Sequence, residues 1–152
     1  MAAALKLLAA RPRSEVQLRQ RLDEKEIASP GAIEQCIARL KELGLIDDRR
    51  FAENYARSRL AAKAVGRSRL AAQLAAKRVN RNAIADALDQ IFKESREEEL
   101  IDRAIRRHTK LRGVPGDRVG ARKLFQHLAR LGFEFDLIRR KLRALGKEVE
   151  EQ

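Results

Sequence analysis

Apolar residues recur every three or four positions along nearly the whole chain, and no segment alternates apolar with polar residues at the strand period. Leu18 and Leu22 lie one helical turn apart, as do Leu70 and Leu74, Ile84 and Leu88, and Leu124 and Leu128. Short breaks divide the pattern into helices. The turn Pro12-Arg13-Ser14 separates a first helix from a second, and Ser14 with Gln17 has the form of a capping box. Ser29 and Pro30 suit the N-cap and first turn of a third helix, which Gly44 ends. Asp47 and Asp48 favour the positive end of a long helix near residues 49–63, followed by Gly66. Further helices are predicted near residues 68–78, 82–92 and 95–109. The Gly- and Pro-bearing stretch 111–116 then forms a loop, and two more helices follow near residues 117–130 and 134–145. Residues 147–152 are expected to fray.

These nine helices group in threes because the pattern repeats. Gly66, Leu70, Leu74, Val79, Ile84 and Leu88 recur 54 positions later as Gly120, Leu124, Leu128, Phe133, Ile138 and Leu142. Shifted back by 52, the first three reach Ser14, Leu18 and Leu22, while Ile27 matches Val79. Ile33 and Ile37 match Ile84 and Leu88 after one inserted residue. Each unit then holds a two-helix corner, plugged by Ile27, Val79 or Phe133. A preceding helix covers it through Leu5 and Leu8, Phe51 and Tyr55, or Ile101 and Ile105. Units of roughly 45–50 residues sit near the lower limit of independent stability, so neighbours should stack. The expected fold is all-α: three tandem three-helix, helix-turn-helix-like repeats over 1–46, 47–93 and 94–146, stacked into an elongated curved array.

Charge changes this picture from architecture to partner. The 152 residues carry 34 Lys and Arg against 22 Asp and Glu, a net +12. By repeat, with the tail counted in the third and the short 94–98 link in the second, the excess rises from +2 to +4 to +6. Such a field draws in polyanions. From Asn54 to Ala85 there is no acidic residue, and from Arg103 to Phe133 only Asp117. The candidate contact residues in these runs are Arg57, Arg59, Lys63, Arg67, Arg69, Lys77 and Arg78, with Arg118, Arg122 and Lys123 in the third repeat. With the repeats in register they could form one positive stripe.

Specific chemistry is thin. Cys36, His108 and His127 are isolated in sequence, which gives no metal-ligand spacing. No phosphate-binding loop and no nucleophile elbow occur, so neither cofactor nor catalysis is expected. Cys36, among Ile33, Ile37 and Leu40, reads as a core residue, and one cysteine suits a reducing compartment. No apolar run is long enough to span a membrane. A cytoplasmic monomer is expected, since no heptads ask for a coiled-coil dimer. As a DNA reader the chain is poorly equipped. The third helix of the second repeat, near residues 82–92, carries Asp86 and Asp89 and no Lys or Arg, and the aromatics are mostly assigned to the core. The charge therefore suits backbone contact rather than base readout.

The block Gly44-Leu-Ile-Asp-Asp-Arg-Arg-Phe-Ala52, followed by Tyr55 and Arg57-Ser-Arg59, resembles the signature of the bacterial RecX regulatory proteins. The segment from Arg13 to Leu18 with Leu22, the spaced Gly66, Leu70 and Leu74, and Leu131-Gly-Phe133 with Ile138 also fit. The resemblance spans about Leu5 to Leu145 and departs at the short N-terminal lead and the acidic tail Glu148–Glu151. It implies a non-enzymatic array of three three-helix repeats. It also implies that the array binds the RecA recombinase and its filament on single-stranded DNA, and mostly lowers its ATPase, coprotease and strand-exchange activities. Asp47, Asp48, Phe51 and Tyr55 are assigned to capping and packing, and the basic stripe to filament or DNA phosphate. The competing readings are an autonomous DNA-binding protein and a helical adaptor for another acidic protein.

Overall fold

The computed structural model describes the backbone of residues 1–150 and the side chains through residue 146. Within these bounds the chain is helical, with no strand. The helices are α1 (Ala2–Ala10), α2 (Glu15–Glu24), α3 (Pro30–Glu42), α4 (Asp48–Ala62), α5 (Arg67–Ala76), α6 (Arg81–Glu94), α7 (Glu97–Arg112), α8 (Arg118–Arg130) and α9 (Phe135–Glu150). The segment expected to fray is helical as far as Glu150, because Lys147, Glu148 and Glu150 are good helix formers. Residues 151 and 152 lie outside the described residues.

Side-chain caps explain most helix starts. Ser14 accepts from the Gln17 amide at 3.2 Å, while the Gln17 side chain accepts from the Ser14 amide, closing the capping box. Ser29, Asp47, Asn80 and Asp117 each accept from the backbone N–H three residues on. Helices pack within the triplets α1–α3, α4–α6 and α7–α9, a tandem helical repeat array.

The corner between the second and third helices is the repeated device. Glu26, Arg78 and Gly132 occupy equivalent positions, and all three are left-handed, with φ of 49°, 61° and 92°. The next amide in each corner reaches back to the helix: Ile27 to the Leu22 carbonyl, Val79 to Leu74, and Phe133 to Leu128, at 3.2–3.4 Å. This is the paired bond pattern that ends a helix at a left-handed residue. Val79 and Phe133 plug their corners as expected, but Ile27 is 45% exposed. In α1 the deeply buried residue is Ala4, with Leu7 and Leu8 half-buried and Leu5 exposed. With Lys6 as its one polar residue, this helix hardly announces its inner face. On α4 the core face is Ala52, Ala56 and Leu60, with Phe51 and Tyr55 half-buried beside it.

The joints between repeats are repeated too. The Ser14 hydroxyl donates to the Lys77 carbonyl at 2.9 Å, and the Glu15 amide donates to Asp48 at 2.8 Å. One repeat on, the Ser68 hydroxyl donates to the Gly132 carbonyl at 3.1 Å, and the Arg67 amide donates to Glu97 at 3.5 Å. In each joint the start of a second helix docks on the next repeat's corner, and the acid opening the next repeat caps it. Two separate cores result. Ala4, Leu18, Leu22, Ile33, Ile37, Leu40 and Ile46 form one, and α4–α9 share another that runs unbroken from Ala52 to Ile138.

Candidate functional site

The ten basic candidates differ in how far the fold already engages them. Arg57 is clamped by Glu94 through bonds of 2.8 and 3.0 Å, with Glu53 at 3.6 Å. The Arg57 guanidinium and the Gln90 amide hold the Glu94 carboxyl down to about 2. Arg67 pairs with Asp89 at 2.7 Å. Acids on α6 thus mask two cations that look unopposed along the chain. Arg69 is half-buried in the joint and donates to the Arg130 carbonyl at 3.3 Å. Arg59 and Lys77 lie over the Tyr55 ring, at 5.8 and 5.3 Å from its centre. Arg78 is exposed at its left-handed corner.

Lys63 and Lys123 are brought together. They line a cleft of about 620 Å³ between the end of α4, α7 from Arg103 onward, and α8. Arg103, Arg107 and Arg112 enter it from α7, and Arg130 enters from α8. Among the described residues no Asp or Glu lines it. Arg103 is held by a 2.6 Å bond to the Leu60 carbonyl at the end of α4. Among the described residues Lys63, Arg107, Arg112, Lys123 and Arg130 form no salt bridge. Arg118 and Arg122 lie one turn apart on the exposed side of α8, next to Lys123.

His108 and His127, distant in sequence, face each other in this cleft with ring centres 5.1 Å apart. Burial pushes the protonation of both imidazoles below its ordinary range. Arg112 adds to the effect on His108, while His108, Lys63, Arg130 and Arg112 add to it on His127. The α7 arginines belong to the acid-poor run from Arg103 to Phe133 but not to the ten candidates, and the histidine pair has no signal in a charge run. The signal available was the one-turn spacing of Arg103 and Arg107 inside an acid-poor run.

The other candidates take structural places. Asp47 caps α4 as expected, whereas Asp48 reaches across to cap α2. Cys36 is half-buried against the first core. Of the phenylalanines only Phe133 is fully buried, and Phe135 is 55% exposed, so the aromatics are less committed to the core than the sequence suggests. Among the described residues no cluster of His, Cys, Asp and Glu could hold a metal ion, and no helix is long and apolar enough to cross a membrane.

Comparison with known proteins places this architecture. Family models described as the first and second three-helix domains of RecX match residues 1–40 and 47–88. A relative from Thermobifida fusca (strain YX), named Regulatory protein RecX, is 34% identical across 98% of this chain and 82% of its own length. One of the same name from Halorhodospira halophila is 33% identical across 97% of this chain and 89% of its own. The crystal structure of RecX from Lactobacillus salivarius shares the fold, with a TM-score of 0.84, 24% identity and coverage of 95% of this chain and 93% of that one. A second crystal structure of a regulatory protein RecX gives 0.73 at 27% identity, covering 91% of this chain and 67% of the other. With matching domain models, relatives alike over nearly their whole length and the same helical array, the chain belongs to the RecX family of regulatory proteins.

Proposed function

We propose that this chain regulates the RecA recombinase. It binds the RecA filament on single-stranded DNA and lowers its ATPase, coprotease and strand-exchange activities, without catalysing a reaction itself. The observation that carries this reading is the match, over almost the entire chain, to relatives named as RecX regulatory proteins. The physical arrangement suits the role. Three repeats coupled end to end present several modest contacts on one body, and such contacts reinforce one another through effective concentration. The contact face is cationic: Lys63, Lys123, Arg118 and Arg122 form no salt bridge among the described residues. Arg59, Lys77 and Arg78 add further cations in the second repeat, free of salt bridges among the described residues. Arg57, Arg67 and Arg69 contribute less, because each is already engaged within the fold.

The test is DNA-dependent ATP hydrolysis by RecA, titrated with this protein. The rate should fall at ratios well below one protein per RecA protomer. An unchanged rate at equimolar protein would remove the reading. A second reading, direct DNA binding without RecA, is favoured by one specific observation, the acid-free cleft between α4, α7 and α8.

A further inference from the structure

The cleft between the second and third repeats has a composition that neither folding nor helix capping requires. Its cations come in two rows. Arg103 and Arg107 stand one turn apart on α7, and Lys123 and Arg130 stand about two turns apart on α8, with His127 between them. Lys63 closes the end from α4, and Arg112 closes it from the last turn of α7. Like charges gathered around one concavity repel unless an anion joins them, and the cost is highest where water is partly excluded. Of the lining cations only Arg103 has a protein oxygen as a side-chain partner among the described residues.

We propose that this cleft is a binding site for the phosphodiester backbone of a single nucleic-acid strand, in which consecutive phosphates lie between the α7 and α8 rows and His108 and His127 complete the site when protonated. The lining favours a strand over a free nucleotide. It holds no Phe, Tyr or Trp to stack a base, and Gln126 is its one side-chain amide, so little could read a nucleobase. What it offers is spaced positive charge, which follows a backbone irrespective of sequence.

The histidines make the site sensitive to pH. The groups facing them are Lys63 from α4, Arg103, Arg107 and Arg112 from α7, and Lys123 and Arg130 from α8, all cationic. Burial first, then Arg112 at His108 and His108, Lys63, Arg130 and Arg112 at His127, disfavour the protonated imidazoles. A phosphate between them reverses the sign of the local field, so binding takes up protons and tightens as pH falls. The proposal deepens the regulatory reading by naming one DNA-contacting site, but its test needs no RecA and can fail while that reading stands.

The experiment is fluorescence anisotropy of a labelled oligo-dT with the full chain, at fixed ionic strength, at about pH 5.8 and about pH 7.5 to bracket the ordinary imidazole range. Affinity should be at least about fivefold higher at the lower pH, and His108→Gln with His127→Gln should abolish that ratio. Lys63→Glu with Lys123→Glu should weaken binding at least about tenfold and flatten the salt slope by about 0.7 for each phosphate that is no longer neutralised. Arg21→Glu with Arg39→Glu makes the same change in net charge on the first repeat and should cost less than about twofold. Circular dichroism establishes that each variant is folded, and the histidine ring resonances should move toward the protonated form when oligo-dT is added at constant pH. Equal losses from the two charge reversals would overturn the site. A pH-independent affinity, or ring resonances indifferent to the oligonucleotide, would overturn the role of the histidines. Tripolyphosphate competing at the same concentration as strand phosphate would assign the cleft to free polyphosphates instead.

Discussion

Gly66 and Gly132 meet backbone to backbone across the joint between the second and third repeats. The Gly66 amide donates to the Leu131 carbonyl at 2.8 Å, and a Cβ on either glycine would run into main-chain atoms of the other repeat. Gly132 also has a φ of 92°. Gly132→Ala therefore combines a left-handed backbone penalty with a clash against Arg69, and should cost about 2–4 kcal/mol. Urea unfolding monitored by circular dichroism measures it. A loss below about 0.5 kcal/mol would mean that the joint is not close-packed.

At the other joint the contact is a hydroxyl. Ser14 is fully buried, caps α2 and donates to the Lys77 carbonyl. Ser14→Ala removes a cap and strands a carbonyl, for an expected loss of about 1–3 kcal/mol. The loss should be local. The first repeat has its own small core and is tied to the second by the Ser14–Lys77 and Glu15–Asp48 hydrogen bonds. Hydrogen exchange in the variant should accelerate in α1–α3 while α4–α9 keep their protection. Uniform acceleration would show that the two cores unfold together.

The three corners also allow a gain. Glu26 and Arg78 take the left-handed position that Gly132 fills in the third repeat. Glu26→Gly relieves a backbone cost and gives back part of it as unfolded-state entropy, so a net stabilisation of about 0.5 kcal/mol is expected. Thermal unfolding of the single variant tests this, and a lower melting temperature would contradict it.

The helices and the repeat were readable because capping residues and the one-turn leucine pairs are local signals. Ser14, Ser29 and Asp47 cap where the sequence places them. The helix α8 nevertheless has its cap three residues before Gly120, the counterpart of Gly66, because Asp117 takes that role. The binding face was only half readable. An acid-free run says which cations lack acidic neighbours along the chain, yet Glu94 and Asp89 arrive from another helix to neutralise Arg57 and Arg67. Conversely, His108 and His127 become neighbours only when α7 packs on α8. Pairings between elements have no local signature, which is why the cleft emerges from packing rather than from spacing.

Acid titration offers a check on the cleft that needs no ligand. Both imidazoles resist protonation in the folded chain, while in the unfolded chain they take protons near the ordinary value of about 6.5. Between those limits the unfolded state binds more protons. Stability is therefore greatest above the ordinary imidazole range and declines as pH falls through it, levelling off once the folded-state groups have also protonated. Melting temperature measured from about pH 7.5 down to about pH 5.5 should fall, and the double change of His108 and His127 to Gln should flatten that slope. Saturating oligo-dT should shrink the decline in the native protein, since a phosphate in the cleft welcomes the same protons that the fold alone rejects. A slope unchanged by the glutamines would place the acid sensitivity elsewhere in the fold.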